Sequence, residues 1–160
     1  MKKITLLFFC LSVLAISCKK DDIIYDVSQV NATSYNANKN KLKTISQYIS
    51  ILYANLFQKA LSANELVEIT NCIESIGDKQ VAHEIILSNF MNKSGVTMPS
   101  DSLMRTDVNA FIEQTYNRFY VRDLSEAERE FFLNFFASHP DVSVEMVYSA
   151  FSLSNEYQFY

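Results

Sequence analysis

The sequence predicts an all-α domain made of two tandem three-helix units, and three observations favour this fold class. Apolar residues recur at three- and four-residue steps from Leu42 onward, which is the spacing of one face of an α-helix. Ser62 and Ser125 each begin a Ser-x-x-Glu sequence, the pattern of a helix capping box. The 160 residues include only two glycines and two prolines, which disfavours a β-sandwich with many tight turns.

Before the helices, the chain begins with the three-part pattern of a secretory signal peptide. Two lysines follow Met1, and residues 4–14 are almost wholly apolar but too few to span a bilayer core of about 30 Å. Residues 15–18 read Ala-Ile-Ser-Cys, which resembles the lipobox of bacterial lipoproteins. The resemblance implies that residues 1–17 are removed and that Cys18 carries lipid. The alternative is an ordinary signal peptide with an incidental cysteine.

Four charged residues follow the cysteine: Lys19, Lys20, Asp21 and Asp22. They resemble the surface-export signal of Bacteroidota lipoproteins, in which a lysine and two acidic residues stand close behind the lipidated cysteine. The resemblance implies an outer-membrane lipoprotein that faces the cell exterior. The alternative is a charged tether that only keeps the linker off the membrane. Residues 18–38 are polar and rich in Asn and Ser, and we expect them to form a flexible tether.

The first three-helix unit is predicted over residues 39–93. Its first helix is expected to run from Lys39 to near Ala60, where the apolar stripe ends. Ser62 then caps a second helix, because its hydroxyl can accept a hydrogen bond from an unpaired amide of the first turn. Gly77 is expected to end that helix.

A third helix is predicted to begin after Asp78, whose carboxylate can cap it. Residues 94–102 contain glycine, proline and several hydroxyl residues and form the clearest break in the domain. The second unit is predicted over residues 106–160, with Thr106 or Asp107 as the cap of its first helix.

The two remaining helices follow the same signals. The capping box at Ser125 begins the fifth helix, which ends at His139 and Pro140 because a proline cannot continue a helix. Ser143 caps the sixth helix. These assignments fill both units with helices and leave no segment with the alternation of a strand.

An internal repeat relates the two units. A shift of 63 positions places Ser62 on Ser125 and Glu65 on Glu128, so the two capping boxes superimpose. Each unit alone would leave an apolar stripe uncovered, and we therefore expect the two copies to pack against each other as one domain.

The second unit carries a longer motif, whose residues are Tyr116-x-x-Phe119-Tyr120-x-Arg122-x-Leu124-Ser125-x-x-Glu128 and Phe151-x-x-Ser154-x-Glu156-Tyr157. This motif resembles the helical module of phycobilisome-linker-like domains. The resemblance implies a mostly non-catalytic helical module that organises assemblies or accompanies surface proteins, and it carries over no pigment site. The first unit departs from the motif, because Lys59 stands where Arg122 does and the closing Glu-Tyr pair is absent.

Charge and cysteine content narrow the classes of function. The formal net charge is −4, and no cluster of lysine and arginine is large enough to bind nucleic acid. Of the three cysteines, Cys10 lies in the signal peptide and Cys18 would be lipidated, which leaves Cys72 without a disulfide partner. Because Cys72 lies on the apolar face of the second helix, we expect it to be buried.

No residue pattern indicates catalysis, a metal site or a cofactor. His83 and His139 have no partners at metal-ligand spacing. Glu126, Glu128 and Glu130 share the start of one helix, where the helix dipole favours acidic residues, and they do not supply two carboxylates facing across a cleft. The sequence therefore predicts a protein that is not an enzyme.

Six residues are candidates for binding a partner: Arg118, Arg122, Phe131, Phe135, Tyr157 and Tyr160. The two arginines lie four apart on the polar side of the fourth helix and would either bind an anionic group or pair with the acidic second turn of the fifth helix. The block of four phenylalanines in the fifth helix cannot point in one direction, so part of it fills the core and part meets the other unit or a partner. The aromatic end of the chain is a further candidate.

These observations predict an accessory or scaffold lipoprotein of the outer membrane that binds another envelope or surface protein. The membrane is contacted through the lipid on Cys18, and nucleic acid is not an expected partner. The alternative is a surface module that binds a peptide or glycan and assists a nutrient-uptake system. The sequence predicts no oligomeric state.

Overall fold

Eight α-helices and no strand make up residues 39–159, the part of the chain that the computed structural model describes. In chain order they are α1 (Ile45–Phe57), α2 (Ala63–Ser75), α3 (Lys79–Met91), α4 (Asp101–Thr106), α5 (Val108–Phe119), α6 (Glu126–Ser138), α7 (Val144–Leu153) and α8 (Asn155–Gln158). The prediction of an all-α domain is confirmed, while the repeat relation between its two halves stays a prediction. The predicted signal peptide, the lipidated Cys18, the export signal, the tether and Tyr160 lie outside the described residues.

A polar side chain caps each of these eight helices. The N-caps are Thr44, Ser62, Asp78, Ser100, Asp107, Ser125, Ser143 and Ser154. Each accepts a hydrogen bond from a backbone N–H that the helix leaves unpaired, which stabilises a helix by about 0.5–2 kcal/mol. Ser125 and Glu128 form the full predicted capping box. At Ser62 only half of it forms, because Glu65 accepts a hydrogen bond from the Ser62 hydroxyl at 2.6 Å rather than from its amide.

The first helix begins at Ile45, so the predicted start at Lys39 is wrong. The segment before Ile45 lies against the other end of the chain, where Leu42 forms an isolated antiparallel bridge with Phe159. Leu42 was expected in the apolar stripe of the helix, but its side chain is 64% exposed. A long-range pairing has therefore replaced the local helical preference at this end.

We call this pairing the terminal clamp, formed by residues 39–43 and 156–159. The backbone N–H of Lys43 donates to the carbonyl of Gln158 at 2.8 Å. The ammonium of Lys43 donates to the carbonyl of Tyr157 and lies 4.1 Å from the centroid of its ring. The clamp thus holds the two ends of the domain side by side.

Two predictions for α2 are wrong. The helix ends at Ser75, and Ile76 already has extended backbone, so the helix stops before Gly77 is reached. Gly77 also lacks the left-handed conformation of a glycine cap. Cys72 is exposed rather than buried. Only Ile73 of α2 is buried, because this helix contributes one narrow face to the core.

The boundaries around the middle of the chain also differ from the prediction. Residues 94–102 were expected to be a break, but Ser100 already caps α4, a six-residue helix that is too short to show an apolar period. Asp107, rather than Thr106, caps α5. The sixth helix begins after Ser143 as predicted, and Ser154 ends it and caps a further short helix, α8, that was not predicted.

The helices pack in two groups around a shared core. Helix α1 packs on α2 and α3, α5 packs on α6 and α7, and α3 also packs on α7 and so joins the groups. Ile49, Leu52 and Leu56 of α1 are fully buried, and each such side chain stabilises the fold by about 1.5–3 kcal/mol. Among residues 39–159, no helix has both the length and the apolar character needed to cross a membrane.

Two residues other than glycine have left-handed backbone conformations within this fold: Gln58 with φ 54° and Val121 with φ 53°. Gln58 closes α1, and its N–H donates to the carbonyl of Ala54 at 2.9 Å. Val121 follows the end of α5, where its β-branched side chain makes this conformation costly. The Val121 side chain is 77% exposed, so little packing offsets the strain.

Replacing Val121 by glycine is expected to raise the free energy of unfolding by about 1 kcal/mol, because glycine adopts positive φ without a Cβ clash. Urea unfolding of the full-length protein in detergent, followed by circular dichroism, measures this change. The matched control is Val67→Gly, an exposed position inside α2, which should lose about 1 kcal/mol. A destabilised Val121→Gly variant would contradict the left-handed conformation at this turn.

Candidate functional site

A densely bonded arginine, Arg122, lies in the turn between α5 and α6. Its Nη2 and Nη1 donate to the two carboxylate oxygens of Glu128 at 2.6 and 3.0 Å. Its Nε and Nη2 donate to the two carboxylate oxygens of Glu156 at 2.7 and 3.0 Å. The side chain is 15% exposed. Paired, planar hydrogen bonds of this kind are the strongest that an arginine makes with carboxylates.

Aromatic rings surround this arginine. The guanidinium carbon lies 4.7 Å from the ring centroid of Tyr116 and 5.6 Å from that of Tyr120. The Tyr120 hydroxyl donates to Ser154 Oγ at 2.8 Å. We call this group the Arg122 cluster: Arg122, Glu128, Glu156, Tyr116 and Tyr120. The residues that carry the motif of the second unit therefore meet at one place in the fold.

The two carboxylates of the Arg122 cluster are balanced by Arg122 and by a neighbouring lysine, Lys39. Hydrogen bonds from Arg122 lower the pKa of Glu128 to about 2 and also hold the pKa of Glu156 below its usual value. Lys39 lies 3.3 Å from Glu156, so two cations face two carboxylates. Of the two alternatives predicted for Arg122, pairing with the fifth predicted helix describes it, but through Glu128 of the first turn instead of the second, and Glu156 is an additional partner. The placement of Arg122 on the fourth helix is wrong, because that helix ends at Phe119.

Arg118 makes no ion pair among residues 39–159. Its Nη1 donates to the carbonyl of Thr97 at 2.9 Å and to the hydroxyl of Tyr148 at 3.0 Å. The side chain lines an open cleft of about 300 Å³, whose other lining residues are Thr97, Met98, Pro99, Phe111, Gln114 and Tyr148. Pairing of Arg118 with the start of α6 therefore does not occur, and anion binding stays a prediction.

An aromatic surface lies along α6. We call it the α6 strip, formed by Phe131, Phe135 and His139. Phe131 is 61% exposed, and the rings stack with centroids 6.0 Å apart for Phe131 and Phe135 and 4.4 Å apart for Phe135 and His139. Phe132 and Phe135 are partly buried and pack against the core, and Phe136 is buried in it, so Phe131 is the exposed member of the phenylalanine block.

Of the aromatic residues at the end of the chain, Tyr157 is packed inside the fold, while Phe159 is 36% exposed. Tyr157 is 1% exposed, its hydroxyl accepts a hydrogen bond from Asn55 at 3.0 Å, and its ring lies edge-on to Tyr48 with centroids 5.8 Å apart. Tyr157 therefore fills the core instead of presenting its ring to a partner, in contrast to its selection as a partner-binding candidate. Tyr160 lies outside the described residues.

Neither histidine lies in a metal site within residues 39–159, where no group of three or more His, Cys, Asp or Glu side chains could hold a metal ion. His83 stacks on Tyr48 with ring centroids 4.0 Å apart, and burial, followed by the charge of Lys79, lowers its pKa. His139 Nδ1 lies 2.8 Å from the carbonyl of Phe135 and belongs to the α6 strip.

Two lysines of the terminal clamp were missed by sequence reasoning. Lys39 donates to the carbonyl of Tyr120 at 2.5 Å, and burial, together with the charge of Lys39, lowers the pKa of Lys43 to about 8. The partner of Lys43 is 114 positions away, so no local pattern marks the contact.

No family model, no curated protein and no solved structure matches this chain. The likeness to phycobilisome-linker-like modules therefore stays a resemblance carried by the motif of the second unit.

Replacing Arg122 by glutamine is expected to lower the free energy of unfolding at pH 7 by about 2 kcal/mol. The loss is smaller than for a deeply buried ion pair, because the two glutamates keep some contact with water. The folded pKa values of Glu128 and Glu156 are depressed, so their contribution is present above the unfolded pKa of about 4.3 and is lost as the pH falls toward 2. Urea unfolding between pH 7 and pH 3 should show the wild type and the variant converging.

Arg129→Gln is the matched control, because the one carboxylate that Arg129 pairs with among residues 39–159, Glu126, is 78% exposed, and its other partner, Asn109, is neutral. The free energy of unfolding of this variant should fall by less than about 0.5 kcal/mol, and the decrease should depend little on pH. An Arg122→Gln effect that is absent at pH 7, or equally large at pH 3, would rule out the proposed charge pairing.

Proposed function

We propose that this protein is a non-enzymatic lipoprotein of the outer membrane that faces the cell exterior and acts as an accessory or scaffold protein, binding another envelope or surface protein through its helical domain. The observation that carries the proposal is the exposure of the α6 strip. The sequence before residue 39 supports the location, and the exposed aromatic face supports the activity.

The α6 strip has the composition of a protein-binding surface. Phe131 presents most of its ring to water, and Phe135 and His139 extend the aromatic surface along the same side of α6. Exposed aromatic residues are enriched at the centres of protein interfaces, where their burial drives association. Exposed polar residues of the same helix, Glu130 and Asn134, would form a rim around such a centre.

The polar groups of the domain support a non-enzymatic role. Glu128 and Glu156 are held by Arg122, which fixes them as charged structural partners. His83 stacks on Tyr48 instead of facing a cleft with a nucleophile or second base. The strongly lowered pKa of the Glu128 carboxylate is thus explained by its pairing with Arg122 in the folded domain.

The lipid anchor would restrict where the partner is found. Cys18 precedes Lys39 by 21 positions, a length of chain that reaches about 70 Å at most when fully extended. An anchor with several acyl chains holds a protein stably at the membrane. Confinement to one membrane surface raises the effective concentration of the α6 strip toward a partner in that membrane.

Replacing Cys18 by alanine is expected to remove the protein from outer-membrane fractions, because the acceptor of the lipid is lost. Fractionation of envelopes and protease treatment of intact cells measure the location. The wild type should be membrane-bound and cleaved by added protease. Cys72→Ala is the matched control, since this thiol is exposed and lies outside the lipobox. A Cys18→Ala variant that still fractionates with the outer membrane and is cleaved on intact cells would refute the anchor.

Replacing Phe131 by serine is expected to weaken partner binding by about 2 kcal/mol, or roughly 30-fold, because the exposed ring would lose its burial in the interface. Extraction of the full-length protein in mild detergent, followed by quantification of co-purified envelope proteins, measures this. The wild type should recover one partner stoichiometrically.

Val67→Ser is the matched control, because Val67 is also exposed, at 58%, but lies on α2. It should retain the partner, and both variants should unfold at the wild-type midpoint. Recovery of the wild type without a partner, or of Phe131→Ser with the full amount, would contradict the proposal.

A further inference from the structure

We propose that the cleft beside Arg118 is a binding site for a carboxylate carried on a small apolar group. Arg118 would bind the carboxylate, and Met98, Pro99 and the accessible ring edges in the cleft would contact the apolar group. This site is separate from the α6 strip and does not depend on the protein-binding proposal.

Arg118 is held in place by one of its nitrogens. Nη1 has two hydrogens, and these donate to the carbonyl of Thr97 at 2.9 Å and to the hydroxyl of Tyr148 at 3.0 Å. Thr97 is fixed in turn, because its N–H donates to the carbonyl of Leu56 at 2.7 Å. The Arg118 side chain therefore loses little conformational entropy when a ligand binds.

The guanidinium lies 5.5 Å from the ring centroid of Tyr148, but its other edge has no hydrogen-bond partner among residues 39–159. Nε and Nη2 of Arg118 make no hydrogen bond there, and no carboxylate lies within ion-pair distance. Arg122 and Arg129, in contrast, each pair with glutamate. The Nε and Nη2 hydrogens of an arginine are spaced to bind both oxygens of one carboxylate, a geometry that a lysine cannot reproduce.

The rest of the lining also offers apolar atoms to the ligand. Phe111 and Tyr148 stack with an interplanar angle of 4° and centroids 6.1 Å apart, and although both are largely buried, their edges border the cleft. Met98 and Pro99 add apolar surface from the segment that precedes α4. At about 300 Å³ the cleft is at the small end of ligand sites, so it suits one compact group instead of an extended chain.

A neutral polar group completes the site. Gln114 is exposed, lies one helical turn before Arg118 on α5, and makes no hydrogen bond among the described residues. Its amide can donate to a carboxylate or accept from an N–H next to it. A single cation, an amide and an apolar lining together match the end of a molecule that combines one negative charge with a hydrophobic group.

The test uses N-acetylphenylalanine as the probe and N-acetylphenylalaninamide as its neutral match. Saturation-transfer NMR and calorimetry on the full-length protein in detergent should show saturable binding of the acid, with the amide at least about tenfold weaker. The amide also controls for partition of the probe into micelles. A tripeptide ending in phenylalanine distinguishes the source: equal binding identifies a free peptide end as a ligand, and weaker binding identifies a small organic acid.

Two variants assign the site. Arg118→Gln should weaken binding of the acid at least about tenfold and leave the amide unchanged. Gln114→Glu places a carboxylate four residues before Arg118, where it would pair with the arginine and exclude the probe without cost to the fold, since the position is exposed. This second variant keeps the test decisive if Arg118→Gln fails to fold.

Phe131→Ser is the control, because it alters the α6 strip and should bind the acid as the wild type does. Binding of the acid and the amide with equal affinity, absence of saturable binding of the acid, or wild-type affinity in Gln114→Glu would overturn the proposal. Loss of the envelope partner in Phe131→Ser with retained acid binding would show that the two sites act independently.

Discussion

A guanidinium that is largely removed from water must be surrounded by acceptors, and Arg122 meets this requirement with carboxylates from two distant parts of the chain. Glu128 comes from the start of α6, and Glu156 comes from α8 at the end of the domain. Removing one partner of such a pair leaves the other charge without a counter-ion, which destabilises the fold by more than the intact pair stabilises it. The pairing therefore fixes the positions of α6 and α8. The turn after α5, the start of α6 and the aromatic end of the chain are positioned together by this one residue.

The helices were predictable because their signals are local. Hydroxyl and carboxylate caps act within three residues, and apolar periods act within one helix, so Ser125, Asp78 and Ser143 marked true helix starts. The errors in helix boundaries and burial arise where contacts with residues distant in sequence determine the structure. The six residues before Ile45 were assigned to the first helix because their pairing with the chain end lies more than 100 positions away. Cys72 was assigned to the core because periodicity cannot tell which part of an apolar face its neighbours will cover.

In the candidate site too, contacts between residues close in sequence were predictable and contacts between distant residues were not. Pairing of Arg122 with α6 was one of two stated alternatives, because the acidic residues stand a few positions away. The partners of Arg118 are a loop carbonyl and a hydroxyl 30 positions away, which no side-chain pattern marks. Adjacent phenylalanines had to face different directions on a helix, yet only the packing of α6 on α5 decides that Phe131 is the exposed one.

The terminal clamp has a mechanical consequence. If the protein hangs from a lipid on Cys18, any drag on the domain enters it at Lys39, beside the isolated bridge between Leu42 and Phe159. Tension would act on this bridge and on the single backbone hydrogen bond from Lys43 to Gln158 before it acts on α1. The clamp would thus open first under force. Its opening would lengthen the connection between the domain and the membrane while the α6 strip stays folded.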